Sequence, residues 1–394
     1  MAERVYLDWN ATAPLCAEAR AAVSAGLDIV GNPSSVHAEG RAARHLIEQA
    51  RAEVAALVGA DARNVVFTSG GTEANALALT ADIDLNGDKR SCMRLLMSGI
   101  EHPSVRLGHR FANGQVEDLP VTADGVVDLA ALQMRLQALT IEEPGHRILV
   151  SIMHANNETG VIQPITEAAR IVHAAGGLLH VDAVQSVGRI PCDINALGAD
   201  IVTISGHKLG APKGVGALIK REPSLHLSAS LLKGGGQERG IRAGTENVIG
   251  IMGFGGAARA AAREQGRAAV RVAELRNRLE TGLRAISPEV VVFGEAVERV
   301  PNTTLFAVAG AKAETVLIAL DLEGIAVSSG AACSSGKVAP SHVLAAMGVP
   351  AALALGAIRT SLGSTTSEAE IDFFLRAWSK VVMGLSKDRR GLAA

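Results

Sequence analysis

The sequence predicts an α/β protein with a large domain on a doubly wound, mostly parallel sheet and a smaller α+β domain. Its 394 residues are enough for two or three domains. For most of the length, short β-branched segments alternate with longer helical patterns, which is typical of strands joined by crossover helices. After about residue 260, a long charged helical pattern leads into a second set of strands. We therefore expect a large domain at residues 15–260 and a small one at residues 1–14 and 261–394.

The elements of the large domain follow from apolar, β-branched runs and from Ala/Leu/Arg-rich patterns of helical period. Strands are predicted at Val65–Thr68, Leu95–Ser98, Ile148–Met153, Leu178–Asp182, Ile201–Ser205 and Gly216–Ile219. Helices are predicted at Ala38–Val58, Thr72–Ala81, Ile165–Ala175 and Asn247–Ala285.

The same reasoning gives the elements of the small domain. Strands are predicted at Val290–Val292, Thr303–Ala307 and Ile325–Ser328, and helices at Ala313–Leu322 and Glu368–Leu385. A short strand at Val5–Asp8 precedes Pro14 and is able to pack with either domain.

Composition excludes several classes of protein. The net charge is -2 and aromatic residues make up 3%, so neither nucleic acid nor an anionic membrane is an expected partner. The four cysteines form no CxxC pair, which argues against a zinc site and against a disulfide framework. No apolar run reaches about 18 residues, and the first residues lack the apolar core of a signal peptide. We expect a cytoplasmic location.

A glycine-rich turn at Thr68–Asn75 lies between a predicted strand and a predicted helix. Free backbone N–H groups at a helix N-terminus, together with hydroxyls, form a cradle for a phosphate group. The alternative is a strand–helix turn with an ordinary Ser/Thr cap. The segment matches neither GxxxxGK[ST] nor GxGxxG, so the usual nucleotide motifs are absent.

Two further predicted strands end in, or are followed by, side chains that can bind a ligand or take part in catalysis. Asp182 ends one apolar strand, and Ser205, His207 and Lys208 follow another. A carboxylate at a strand end can hold a protonated ring nitrogen or a metal, or simply cap the next helix. A lysine at such a position can serve as a nucleophilic amine, whereas a surface turn is the plainer interpretation. A Ser-x-x-Lys acyltransferase is also conceivable, but its partner motifs are missing.

Together, these three segments match what pyridoxal 5'-phosphate requires. The cofactor needs a lysine for its Schiff base, an acid at its pyridine nitrogen and a phosphate site. His102 follows another strand and could stack on the ring, or lie in an ordinary turn.

Two more segments supply a thiol and a cation. Cys333 lies in a run of very small residues, which indicates an exposed loop with a reactive thiol. Arg359 interrupts an apolar strand, where a guanidinium is costly unless it meets an anion such as a substrate carboxylate or a structural acid.

These segments, in this order, resemble the cysteine desulfurases of the NifS/IscS type, and more closely the NifS branch. The matching segments run from about residue 4 to 380 and include residues 31–35, 101–103, 155–160, 205–208, 234–240, 242–247 and the loop around Cys333. The resemblance implies the aspartate-aminotransferase-like fold of PLP fold type I. It also implies conversion of L-cysteine to L-alanine with a persulfide on Cys333, for iron–sulfur cluster assembly.

Carried over residue by residue, the resemblance assigns roles to the site. Lys208 carries the Schiff base, Asp182 pairs with the pyridine nitrogen, and Cys333 attacks the substrate sulfur. The remaining assignments are Gln185 at the ring hydroxyl, His102 on the ring, Thr72 with Gly71, Ser205 and His207 at the phosphate, Thr245 from the partner of a homodimer, and Asn157, Arg359 and Asn32 at the substrate; Asn157 is also assigned to the cofactor.

Some questions stay open at this level. The loop reads Ala331-Ala332-Cys333-Ser334, a mild departure from the family pattern. The longer tail by which the IscS branch docks its scaffold is not recognisable after Leu385, so the sulfur acceptor is undetermined: an iron–sulfur scaffold, RNA thiolation or cofactor synthesis. Alternatives are a selenocysteine lyase, an aminotransferase, a non-catalytic sulfur-relay protein, or a metal site built from scattered histidines.

Overall fold

The computed structural model of the chain describes residues 4–85, 87, 92–330 and 340–391. In chain order, its strands are β1 (Val5–Tyr6), β2 (Val65–Thr68), β3 (Ile83–Leu85), β4 (Cys92–Ser98), β5 (Val116–Leu119), β6 (Arg147–Met153), β7 (Leu178–Asp182), β8 (Ile201–Ser205), β9 (Gly216–Lys220), β10 (Leu225–Leu227), β11 (Val291–Val292), β12 (Thr303–Ala307), β13 (Ile325–Ala326), β14 (Ser328–Ser329) and β15 (Ile358–Ser361). Its α-helices are α1 (Ala17–Gly26), α2 (Ala38–Leu57), α3 (Gly71–Ala78), α4 (Pro103–Arg106), α5 (Leu129–Glu142), α6 (Ile165–Ala174), α7 (Ile194–Leu197), α8 (Val248–Ile286), α9 (Ala313–Leu322), α10 (His342–Ala346), α11 (Ala351–Ala354) and α12 (Glu368–Gly391).

A seven-stranded sheet with the order β2-β9-β8-β7-β6-β4-β5 forms the centre of the larger unit. The neighbours from β8 to β5 pair in parallel, as predicted, and the helical crossovers between them cover the faces of the sheet. Only β9 runs antiparallel to both of its neighbours. The reason is the short connection from β8 to β9, residues 206–215, which holds no crossover helix and therefore returns the chain beside the strand it has just left.

A four-stranded antiparallel sheet with the order β11-β12-β15-β14 forms the second unit. Helix α12 packs on it through Trp378, whose ring meets Phe306 edge to face with centroids 5.2 Å apart. The indole N–H of Trp378 donates to Ser287 Oγ at 3.2 Å. The start of the chain joins this unit, because β1 pairs with β13 and Asp8 bridges to Ser361.

The long helix α8 links the two hydrophobic cores. Its first half places Phe254 and Ala257 in the core of the large sheet, and its second half places Leu275 and Leu279 in the core of the small one. The helix runs without a break through residue 260. The division of the chain at that residue stays a prediction.

In the part of the chain that the structure describes, no helix combines the length and the apolar character needed to cross a lipid bilayer.

Candidate functional site

A cavity of about 650 Å³ opens at the C-terminal ends of β6, β7 and β8. This is the edge of a parallel sheet at which ligands bind. Ten of the residues singled out from the sequence line it: Gly71, Thr72, His102, Asn157, Asp182, Gln185, Ser205, His207, Lys208 and Arg359. The topology therefore brings together groups that lie up to 288 positions apart in the chain.

Lys208 enters the cavity from a single 3₁₀ turn, Gly206–Lys208, that directly follows β8. Its Nζ donates to the carbonyl of Ala11 at 2.9 Å and to the carbonyl of Asn10. Two backbone acceptors thus hold the amine in the cavity, where it is placed to act as a nucleophile.

Asp182 ends β7 and is buried at 5% exposure. Its Oδ2 accepts from Asn75 Nδ2 at 2.8 Å, and its Oδ1 accepts from the backbone N–H of Val184 at 2.9 Å. A group that accepts two such hydrogen bonds is held as an oriented carboxylate. Because it also lines the cavity, it can hold a protonated ring nitrogen there.

The N-terminus of α3 forms one end of the cavity. Its N-cap is Gly70, and no side chain in the described residues caps the helix. Ser205 is buried beside Gly71, since a Cβ on Gly71 would lie 3.2 Å from Ser205 Cβ. Free helix N–H groups and two hydroxyls, of Thr72 and Ser205, are the donor set that a phosphate requires.

His207 and Lys213 add to this anion site. Both line the cavity. Burial, with the nearby charges of Lys208 and Lys213, lowers the pKa of His207 to about 4, so its ring is neutral at pH 7. Its Nδ1 lies 3.2 Å from Thr12 Oγ1. A dianionic phosphate would balance the positive charge of the two lysines.

His102 is the N-cap of the short helix α4. Its Nδ1 accepts from the backbone N–H of Ser104 at 3.1 Å and lies 2.8 Å from Ser104 Oγ. Burial lowers the pKa of His102, so the neutral ring is favoured. A neutral, fixed ring at the cavity wall fits the stacking role that the sequence predicts.

Arg359 reaches the cavity from β15 and is 2% exposed. One terminal nitrogen donates to the carbonyl of Asn157 at 2.9 Å, and the other donates to Asp8 Oδ1 at 2.9 Å. Its Nε finds no hydrogen-bond partner among the described residues. The structural ion pair is thus present, and the binding of a substrate carboxylate by this cavity-lining arginine stays a prediction.

Two of the predicted site residues lie outside this lining, and a third falls outside the described residues. Asn32 and Thr245 are exposed and outside the lining of this cavity, and Cys333 lies outside the described residues. Gln185 lines the cavity, and its Nε2 donates to the carbonyl of Asn10 at 3.0 Å. The histidines considered as metal ligands, namely His37, His102, His154 and His180, do not converge: no cluster of three metal-ligating side chains occurs in residues 4–85, 87, 92–330 and 340–391.

The structure also adds residues that the sequence analysis did not select, namely Asn10, Asn75, Ser104 and Lys213. Asn75 carried a usable signal, because an asparagine inside an apolar helix is unfavourable unless its amide has partners. Here it is fully buried and contacts Asp182.

The lining fits pyridoxal phosphate in each of its parts. An amine, a carboxylate at a strand end, a neutral ring and an uncapped helix N-terminus with hydroxyls surround one cavity. These are the groups that the cofactor's aldehyde, pyridine nitrogen, ring face and phosphate require.

Comparison with known proteins gives a consistent result. The family Aminotransferase class-V matches residues 5–374. A cysteine desulfurase of Cereibacter sphaeroides is 42% identical over 386 residues, which covers 96% of each chain. The cysteine desulfurase IscS of Dictyoglomus turgidum is 40% identical and covers 97% of this chain and 95% of its own.

A solved structure of a NifS-like protein from Rickettsia africae superposes with a TM-score of 0.86 at 36% identity. The alignment covers 96% of this chain and 99% of that one.

Proposed function

Because the chain belongs to the aminotransferase class-V family, whose cysteine desulfurases are fold type I enzymes dependent on pyridoxal phosphate, we propose that it converts L-cysteine to L-alanine. The sulfur atom passes to the thiol of Cys333 as a persulfide. The single observation that carries the proposal is the convergence of Lys208, Asp182, Arg359 and the uncapped α3 N-terminus on one cavity.

Each residue then has a defined task. When bound, pyridoxal phosphate supplies an electron sink for the electrons left at the substrate's Cα. Lys208 would hold the cofactor through its amine and, as a free amine, would accept the proton from the substrate's Cα. Asp182 would keep the pyridine nitrogen protonated, and the guanidinium of Arg359 would bind the substrate carboxylate.

The overall reaction balances without another reactant. The C–S bond of L-cysteine breaks, and an S–S bond forms between its sulfur and the thiolate of Cys333, so the thiol sulfur is oxidised while the substrate's Cβ is reduced and gains a proton. Cys333 must be a thiolate to attack the sulfur. We propose that the persulfide then serves iron–sulfur cluster assembly, as in the IscS and NifS proteins that the chain resembles.

The first test is an absorption spectrum of the purified protein, followed by addition of L-cysteine and measurement of alanine and sulfide. We expect a band at about 420 nm and alanine formation. Lys208→Ala should lose both, whereas Cys333→Ser should keep the band and lose alanine and the protein-bound persulfide. A colourless wild-type protein, or a keto acid in place of alanine, would contradict the proposal.

We further propose a homodimer in which Thr245 completes the neighbouring phosphate site. The segment before Thr245 is firmly anchored: Glu238 and Arg239 adopt positive φ angles of 46° and 57°, and Glu238 forms two buried hydrogen bonds with Arg51 at 2.7 and 2.8 Å. Thr245 itself is exposed and thus accessible to another subunit. The cytoplasmic location, and the absence of nucleic-acid and membrane partners, stay predictions.

Mixed dimers test this arrangement. Lys208→Ala and Thr245→Ala subunits, refolded together in equal amounts, should regain about a quarter of the wild-type activity, because half of the dimers are hybrids and each contains one intact site. If Thr245 acts within its own subunit, the mixture shows no gain over the two separate variants.

A further inference from the structure

A buried chain of hydrogen bonds runs across three neighbouring strands of the large sheet to the cavity. It consists of Ser151 on β6, His180 on β7, Thr203 on β8 and Asn75 on α3, all with no exposed surface, and it ends on Asp182. We propose that Asn75 is a positioning residue that fixes Asp182 and His102 together, and that Thr203 and His180 hold its amide in the required orientation. The inference rests on the proposed function only in its need for a bound cofactor with a pyridine nitrogen.

The carboxylate determines the direction of every hydrogen bond in the chain. Since Asp182 Oδ2 can only accept, the Asn75 nitrogen faces it at 2.8 Å, and Asn75 Oδ1 faces Thr203. The Thr203 hydroxyl must therefore donate to Asn75 Oδ1, and its own oxygen accepts from His180 Nε2–H at 3.0 Å. His180 Nδ1, left without a proton, accepts from Ser151 Oγ at 2.8 Å.

The tautomer of His180 that this order demands is a neutral one, with its proton on Nε2. Its environment agrees, because complete burial lowers the pKa of His180 to about 3. Four donors thus point the same way, and each polarises the next toward Asp182. In an apolar interior such a chain has few alternative arrangements, since any reversal leaves a buried polar atom unpaired.

A second branch starts at the same amide nitrogen. Asn75 Nδ2 also donates to Ser104 Oγ at 2.9 Å, and this hydroxyl is then free to donate to His102 Nδ1 at 2.8 Å. His102 Nδ1 also accepts from the backbone N–H of Ser104. The neutral ring of His102 therefore carries its proton on Nε2, and its orientation depends on Asn75.

The consequence is that one amide couples two groups that would contact the cofactor from different sides. Asp182 is expected at the pyridine nitrogen and His102 on the ring face. Loss of the amide leaves Asp182 Oδ2 without its side-chain donor and Ser104 without its orienting partner, although neither residue is itself changed.

The test uses Thr203→Val, which keeps the shape of the side chain but removes the donor to Asn75. Thr203→Ser keeps the hydroxyl and serves as its conservative partner. Thr304→Val is the matched control away from the cavity. Like Thr203, Thr304 is a buried threonine on a strand, but its hydroxyl donates to Glu280 Oε1, at 2.8 Å. Asn75→Ala removes the branch point directly.

Three readouts separate positioning from packing: the Kd for pyridoxal phosphate titrated into the apoprotein, the pH midpoint of the absorption band of the holoprotein, and the urea midpoint of the apoprotein. We expect Asn75→Ala to weaken cofactor binding about 10-fold or more and Thr203→Val about 5-fold, each with a shifted pH midpoint. Thr203→Ser should stay within about twofold of wild type. Thr304→Val should lower the urea midpoint alone.

The proposal is overturned if Thr203→Val keeps the wild-type Kd and pH midpoint and loses only stability, as Thr304→Val does. If Asn75→Ala fails to fold, the comparison of Thr203→Val with Thr203→Ser still tests the proposal. Failure of the proposed desulfurase activity is seen separately, in wild-type protein that binds the cofactor but makes no alanine from L-cysteine.

Discussion

Glu158 provides a quantitative prediction for pH-dependent stability. Its carboxyl is buried at 3% exposure, where it accepts from Ser341 Oγ and is attracted by Arg359. Desolvation by burial exceeds both effects and raises its pKa from 4.5 to about 7. The neighbours of Glu158 lie on both sides of the segment that holds Cys333, because a Cβ on Gly330 would lie 3.1 Å from Glu158 Oε2. We therefore predict the effect of Glu158→Gln, which resembles the protonated carboxyl in shape and cannot ionise.

The sign follows from the two pKa values. The unfolded chain releases this proton above about pH 4.5, whereas the folded chain holds it until about pH 7. The stability that the protonated group contributes is therefore fully present below pH 4.5 and is lost as the pH rises to 7. At about 1.4 kcal/mol for each tenfold change in proton affinity, the full loss is roughly 3 kcal/mol, and between pH 5 and 8 it is roughly 2 to 3 kcal/mol.

Urea unfolding of wild type and Glu158→Gln between pH 5 and 8 measures this directly. The difference in free energy of unfolding should move in favour of the variant by about 2 kcal/mol across this range. Other titrating groups are common to both proteins and cancel in the difference. Glu289→Gln, which changes an exposed carboxylate, should follow the wild type at every pH. Parallel curves for wild type and Glu158→Gln would refute the reasoning.

Three further predictions concern the cofactor, the substrate and the fold. Gly216→Ala places a Cβ 2.5 Å from the carbonyl carbon of Gly70, so the turn before α3 must move. The Kd for pyridoxal phosphate should then rise about 10-fold or more. An unchanged Kd would exclude this turn as the phosphate site. Arg359→Lys replaces the planar guanidinium at the cavity with a single ammonium and should lower kcat/KM for L-cysteine by about 10- to 100-fold while the cofactor band persists; an unaffected kcat/KM would remove Arg359 from substrate binding. Arg51→Ala leaves the buried Glu238 carboxylate without its ion-pair partner and should lower the free energy of unfolding in urea by about 3 to 5 kcal/mol. A loss below about 1 kcal/mol would show that water reaches the pair.

Sequence reasoning succeeds where one local pattern determines the structure. The buried strands β7 and β8 are largely apolar, with only His180 and Thr203 as polar residues in their interiors, so their limits and the groups at or just after their ends, Asp182 and Lys208, are predictable. The comparisons confirm the family and the fold that the motifs imply. The individual site roles remain predictions, although ten of the residues share one cavity.

Sequence reasoning fails where an element depends on a residue far along the chain, or where a strand shows no apolar run. Strand β5, with the sequence Val-Glu-Asp-Leu, lies at the sheet edge with two carboxylates, so it shows no apolar run. The direction of β9 depends on the connection before it rather than on its own residues. The role of Asn75 depends on Asp182, 107 positions further along the chain; an asparagine in an apolar helix indicates that its amide has partners but does not identify them.

The unpartnered Nε of Arg359 connects the stability of the fold with its chemistry. A buried donor without an acceptor costs about 1 to 3 kcal/mol, and the fold keeps it although the other two nitrogens are fixed by Asp8 and Asn157. Asp8 lies beside β1 and Asn157 follows β6, so both units of the molecule hold the guanidinium in place before any ligand arrives. Under the proposed function, a substrate carboxylate would meet a guanidinium whose side-chain entropy is already lost. Its ion pair with Asp8 and its binding of that carboxylate would together account for an arginine in an apolar strand.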